Sequence, residues 1–263
     1  MIQVSHETPK CYLEDSKQFN DYQYALVHLL ENNLSYRMHF IKCREEGIPI
    51  YLDNSLHELG TAIGGEVLLK WVDVLKPKNI FVPDVWEDKN ASIVNAREWS
   101  KIDLPEGVEK VAVVQATSIL EASLCYQAYK DMGYKKIAFS YGAKYFNEVF
   151  HHPNIHFGKA LGRLLMINTL YKNGIICSSD KVHLLGASIP QEFGWYQGLP
   201  FIESLDTSNP VMSALEGIKY NKYGLMEKPK SNMNNHFNIE YSKSTLKLIL
   251  HNVEKFKTIN NLI

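Results

Sequence analysis

The chain has 263 residues, the usual length of one α/β barrel, and 45% of them are hydrophobic, enough for a large buried core. With 28 Lys and Arg against 29 Asp and Glu the formal charge is −1, which excludes a globally basic nucleic-acid-binding surface and leaves room only for a local patch. The four cysteines (Cys11, Cys43, Cys125, Cys177) are too scattered for a clustered metal site, the first residues lack an apolar segment after a basic start, and no window approaches the ~18 apolar residues of a membrane span, so a soluble cytoplasmic protein is expected.

In chain order, short apolar and β-branched runs alternate with longer amphipathic stretches, the pattern of βα units around a parallel sheet. The predicted strands are Ile2–Ser5, Pro49–Leu52, Asn79–Val82, Lys110–Val114, Lys136–Phe139, Lys181–Leu185 and Pro200–Leu205. The spacing predicts helices over Tyr22–Glu46, Gly65–Leu75, Ile119–Met132, Phe157–Asn173 and Pro210–Glu216. An eighth strand is placed at Ile218–Tyr223, ahead of a long amphipathic helix at about Ile239–Lys257. No internal repeat or linker divides the chain, so residues 1–263 are read as a single α/β domain, a (β/α)₈ TIM barrel. The polar stretch Pro229–His236 is expected to be a flexible loop.

What ends each strand is more informative. Four apolar runs stop on a polar residue: IYLD at Asp53, IFVPD at Asp84, VAVVQ at Gln115 and FIESLD at Asp206. Two others end in small residues, at Ser140 and Gly142 and at Gly186 and Ser188. In a parallel barrel these ends share one rim, where barrel enzymes place their chemistry. Each residue alone could equally cap the next helix.

With these residues on the page, the chain resembles the tRNA-guanine transglycosylase superfamily, and especially its shorter DNA-modifying relatives of the DpdA type found in phages and bacterial modification clusters. YLDNSLHELG (51–60) looks like the family's strand-end Asp segment, and VPDVWED (82–88) is similar to the segment whose Asp meets the purine. VVQATS (113–118) resembles the Val-Gln-Gly segment, FSYGAK (139–144) occupies the place of the Gly-rich base loop, and ESLDTSNP (203–210) resembles the segment bearing the nucleophile. The resemblance implies Asp206 as nucleophile and Asp53 as general acid/base. It implies base contacts at Asp84, Gln115, Ser140, Tyr141, Gly142 and Gly186.

The implied reaction exchanges guanine in nucleic acid for a 7-deazaguanine such as preQ0 or a queuine precursor, with DNA the preferred polymer and tRNA the alternative. No cofactor is expected. Trp86 and Tyr141 are candidates to stack on the base. Lys219, Lys222, Lys228 and Lys230, with Tyr220 and Tyr223 interleaved, form the best candidate for tracking phosphates.

Two departures matter. Asn54-Ser55-Leu56 stands where the tRNA enzymes have glycines, and their zinc subdomain is missing. The last cysteine is Cys177, and only His236 and His251 follow Asp206, so no metal is expected there. His57-Glu58 lacks the second histidine of a metal motif, since position 61 is Thr61, and His151, His152 and His156 read as a solvated loop. The C-terminal helix is expected to pack through Leu246, Leu248, Ile249, Val253 and Phe256. A glycoside hydrolase using the same two carboxylates on a nucleoside is the rival, a binding-only barrel is a second, and association as a homodimer is left open. A phage-encoded chain would work in the host cytoplasm and serve restriction evasion.

Overall fold

A computed structural model describes residues 2–227, 229–231 and 233–262. Eight parallel strands run β1 Gln3–Ser5, β2 Gln23–Leu26, β3 Ile50–Asp53, β4 Asn79–Phe81, β5 Glu109–Val114, β6 Lys136–Ser140, β7 Lys181–Leu185 and β8 Ile202–Asp206. Their order around the sheet is β1-β8-β7-β6-β5-β4-β3-β2, so from β2 to β8 each strand neighbours its sequence successor, while β1 lies beside β8. Helices pack outside, and the result is a nearly closed (β/α)₈ barrel. Right-handed βα crossovers and strands buried on both faces give this arrangement from a short-run apolar sequence.

The two faces of the strands bury separate cores. Outward residues such as Ala25, Leu52, Ile80, Ala112, Val114, Ile137, Phe139, Val182 and Leu184 pack under the helices, while Tyr22, Tyr24, Tyr51, Phe81, Val111, Val113 and Ala138 fill the barrel. The open seam lies between β1 and β2, where side chains replace a backbone ladder. Asp21 accepts the Val4 N–H through its carboxylate at 2.8 Å and donates its own N–H to the Val4 carbonyl, and Asn20 both accepts from and donates to His6.

Two expectations are corrected. The helix placed at Tyr22–Glu46 begins instead as strand β2 and continues as helices Val27–Asn32 and Leu34–Glu45, because Gln23–Leu26 is buried on both faces and shows no alternation. Conversely Ile218–Tyr223 is not a strand. It holds a turn with a single bridge from Asn221 to Gly224, and only Tyr220 is buried, with its hydroxyl on Asn209. The helix Lys89–Ser100 was not among the predicted elements.

The C-terminal helix Lys243–Ile259 packs on Asn209–Leu215, burying Ile249, Val253 and Phe256 with Leu246 and Leu248 partly covered. It also ties down the N-terminal segment, through Lys257 to the Phe19 carbonyl and Ser242 to Tyr12.

Candidate active site

The C-terminal ends of the strands open into a cavity of about 230 Å³. Asp53, Asp84, Gln115, Ser140, Tyr141, Gly186 and Asp206 all line it. None of the four polar strand ends caps a helix. Those caps come from other residues, with Asp88 accepting from Ala91 and Ser118 from Glu121, which leaves Asp84 and Gln115 to face the cavity. The wall carries five carboxylates (Glu7, Asp53, Glu58, Asp84, Asp206) and, among the described residues, no lysine or arginine.

Asp53 is fixed by two donors. Its Oδ1 accepts the Ser55 N–H at 2.7 Å and its Oδ2 the Tyr24 hydroxyl at 2.9 Å. Ser55 takes a left-handed conformation to turn its N–H back, at φ 62°. Burial outweighs these donors and, with the charge of Asp206, pushes the Asp53 carboxyl up to about 6. Glu58, one turn further on, is pushed up to about 9, first by burial and then by repulsion from Asp53.

Asp84 and Gln115 form one preorganised unit. The Gln115 amide donates to Asp84 Oδ2 at 2.7 Å and accepts the Glu87 N–H at 3.0 Å, while Asn54 donates to Asp84 Oδ1 at 2.8 Å and to the Val82 carbonyl. Asn54 therefore holds the carboxylate in place. Gln115 has one amide hydrogen left and Asp84 keeps further lone pairs, so their combined edge can serve a planar ligand. Burial raises Asp84 to about 6.

Asp206 sits opposite. Its Oδ1 lies 2.9 Å from His183 Nε2, and the Gly186 N–H also points at the carboxylate. Burial pushes Asp206 up to about 7, against the pull of Gly186 and of the nearby Arg163 charge. His183 is fully buried and held far below its ordinary range by burial and by the charges of Lys136 and Arg163, so its imidazole is neutral.

Arg163, also fully buried, pairs with Glu192 at 2.6 Å and donates to the carbonyls of Phe139, Leu185 and Gly186. It thereby locks the ends of β6 and β7 from behind.

Two glycines make room for an aromatic wall. A Cβ on Gly186, itself at φ +61°, would come within 2.3 Å of the Tyr141 ring, and one on Gly142 within 2.7 Å of the Trp86 ring. His57 joins Tyr141 and Trp86 at ring separations of 6.0 and 6.3 Å. Gly142 itself stays outside the lining and supports Trp86.

Lys219, Lys222 and Lys230 are exposed and do not line the cavity, Lys222 lying over the Tyr223 ring at 4.8 Å, and Lys228 lies outside the described residues. Within the stretch expected to be a flexible loop, Met233–His236 form a short helix, and Pro229, Ser231, Met233 and Asn234 line the cavity. His156 belongs to the first turn of the helix Ile155–Lys172, and no group of three His, Cys, Asp or Glu side chains among the described residues is arranged to hold a metal. No helix of the described chain is long and apolar enough to cross a membrane.

Sequence reasoning missed Glu7, Tyr24, Asn54, Arg163 and His183. The last two carried a signal, a charged residue on the buried stripe of a helix and a lone polar residue inside the apolar run KVHLL. Neither a scan against protein-family models nor a search of curated proteins finds a match for this chain.

Proposed function

We propose that the chain is a base-exchange transglycosylase, replacing guanine in DNA by a 7-deazaguanine through a covalent aspartyl sugar. The observation that carries this reading is the placing of Asp53 and Asp206 on one cavity with the Asp84–Gln115 edge between their strands. In the first step an Asp206 carboxylate oxygen bonds to C1′ as the C1′–N9 bond breaks, and the departing base takes its electron pair and the proton of Asp53. In the second, the incoming base surrenders a proton to Asp53 and its nitrogen displaces Asp206 from C1′. One base leaves, one enters, and no water or redox partner is consumed. Exclusion of water by the Tyr141, Trp86 and Pro229 walls would favour exchange over hydrolysis.

The productive form needs Asp206 ionised and Asp53 protonated. With the two groups at about 7 and about 6, they titrate in adjoining ranges, and the single-proton form of the pair carries the reaction. Burial by itself leaves that proton on Asp206, the higher of the two, so the reaction needs a hydrogen bond donated by His183 Nε2 to Asp206 Oδ1 to shift it to Asp53. A carboxylate and an amide suit the N1–H, 2-amino and 6-oxo edge of guanine, and reject adenine by leaving buried groups unpaired.

A second reading rests on the absence of lysine and arginine from the described lining, which suits a free nucleoside and hence an N-glycoside hydrolase. On the exchange reading the phosphates stay outside, near the exposed Lys219 and Lys222.

The test is incubation with guanine-labelled DNA or tRNA and 7-cyano- or 7-aminomethyl-7-deazaguanine, followed by digestion and mass spectrometry. Release of guanine with a deazanucleoside in intact DNA is expected. Abasic sites in the polymer, or free ribose from guanosine offered alone, would assign a hydrolase, and exchange in tRNA alone would move the substrate to RNA.

A further inference from the structure

Behind the cavity wall, Ser55 and His28 meet at the exits of two adjacent strands, where Leu26 of β2 pairs with Asp53 of β3. Ser55 is fully buried, and neither residue lines the cavity. Ser55 Oγ accepts the His28 backbone N–H at 3.3 Å and lies 2.8 Å from His28 Nδ1, while the Ser55 N–H donates to Asp53 Oδ1 at 2.7 Å. His28 stands in the first turn of the helix Val27–Asn32, whose N-cap residue Leu26 has no side chain able to cap it. Ser55 therefore caps a helix that belongs to the neighbouring βα unit, and that helix in return grips Ser55 with two nitrogens.

The grip falls on a backbone that does not favour its own shape. At φ 62° Ser55 is left-handed, which a β-carbon makes unfavourable, and this conformation turns its N–H back onto the carboxyl two residues before it. On the other side of the turn Asn54 accepts the Leu56 N–H at 2.9 Å and is tied to the Val82 carbonyl and Asp84, so the turn is fastened from both flanks. Burial holds His28 below its ordinary range, so at neutral pH its ring carries no charge and acts on Asp53 through position.

We propose that His28 and Ser55 form a latch that holds the strained turn after β3 and so sets the plane of the Asp53 carboxyl group. Both are positioning residues, acting on the reaction through Asp53. With Oδ1 on the Ser55 N–H and Oδ2 on the Tyr24 hydroxyl, the carboxyl presents one orientation to the cavity. The latch's role in turnover rests on Asp53 being the acid/base of the proposed exchange, whereas its hold on the turn does not.

Three variants, compared by ¹H–¹⁵N spectra that follow hydrogen exchange of the amide at position 55 at fixed pH, test the latch. Ser55→Ala keeps the β-carbon and loses the latch, His28→Phe keeps the backbone N–H and loses Nδ1, and Ser55→Gly loses the latch but takes the left-handed conformation at no steric cost. In Ser55→Ala and His28→Phe the amide should exchange faster on the order of 10-fold. Turnover should fall on the order of 10–100-fold with KM little changed, as for a misplaced reacting group. Ser55→Gly should lie nearer wild type than Ser55→Ala in both measurements, the reverse of the order expected for a hydroxyl lost from an ordinary backbone. His28→Phe serves if Ser55→Ala fails to fold. Wild-type exchange of the amide in the latch-deficient variants, Ser55→Gly no better than Ser55→Ala, or full turnover with the amide released would overturn the proposal. The expected exchange pattern in a protein that transfers no base would instead count against the transglycosylase reading alone.

Discussion

The floor and the rim of this barrel bury charge in opposite ways. At the floor Lys136 is matched by Glu203, which Lys181 also reaches at 3.4 Å, so each charge there has a counter-charge. At the rim Asp84 and Asp206 are buried and Asp53 half-buried, yet they rely on neutral donors, His183, Tyr24, Asn54, Gln115 and backbone N–H groups, and all three carboxyls are pushed upward. Paired charge of the first kind serves the fold. Unpaired charge of one sign, gathered on one cavity, costs stability and marks chemistry.

The sharpest break of that contrast is Asp206→Asn, which keeps shape and removes the charge of the proposed nucleophile. Exchange should fall on the order of 10⁴-fold or more, with no covalent DNA adduct trapped on denaturing gels. Asp53→Asn should cost on the order of 10²–10⁴ in turnover while still permitting slow adduct formation. Near-wild-type rates in the latter would move the acid/base role to Glu58.

Paired charge is tested by Arg163→Met, which strands Glu192 in the interior. Urea unfolding should show a loss of about 3–5 kcal/mol, as for breaking a buried pair. A change under 1 kcal/mol would show that the pair behaves like a surface one.

The smallest effect is on pH dependence. Glu58 stands at about 9 in the fold against an ordinary 4.5, so its ionisation is disfavoured by folding. Stability is therefore full below 4.5 and declines as pH rises toward 9. The rim aspartates, at about 6 and 7, have made most of their contribution by pH 7, and the lowered histidines act only below 6.5. From pH 7 to 9 the fall in Tm is thus mainly that of Glu58, and Glu58→Gln should flatten it by a few degrees on the order expected for a chain of this size. An unchanged slope would place the loss elsewhere.

Much of the rim was legible because each βα unit ends an apolar run on the one polar residue that has to face the opening, as at Asp53, Asp84, Gln115 and Asp206. Strand β2 was not, since Gln23–Leu26 is covered on both faces and merges with the helical pattern that follows. The eighth strand went to Ile218–Tyr223 on count alone, where the only buried side chain, Tyr220, packs toward Asn209 rather than in a sheet. His183 and Lys136 could be seen as polar residues in apolar runs, but their roles could not, because their partners lie on strands more than twenty residues away, and a sequence shows a polar residue in a strand without showing what satisfies it.

The pairing of β1 with β8 has a consequence for biosynthesis. Ser5 is made long before its ladder partner Asp206, and the segment ahead of β2 meets β1 through Asn20 and Asp21. At roughly 5–20 residues per second a ribosome needs roughly 10–40 s to reach that partner. The strand bearing Asp206 is therefore the last to be completed by its neighbour. A nascent or truncated chain carries Asp53, Asp84 and Gln115 long before it acquires Asp206, so the proposed nucleophile is installed only as the barrel closes.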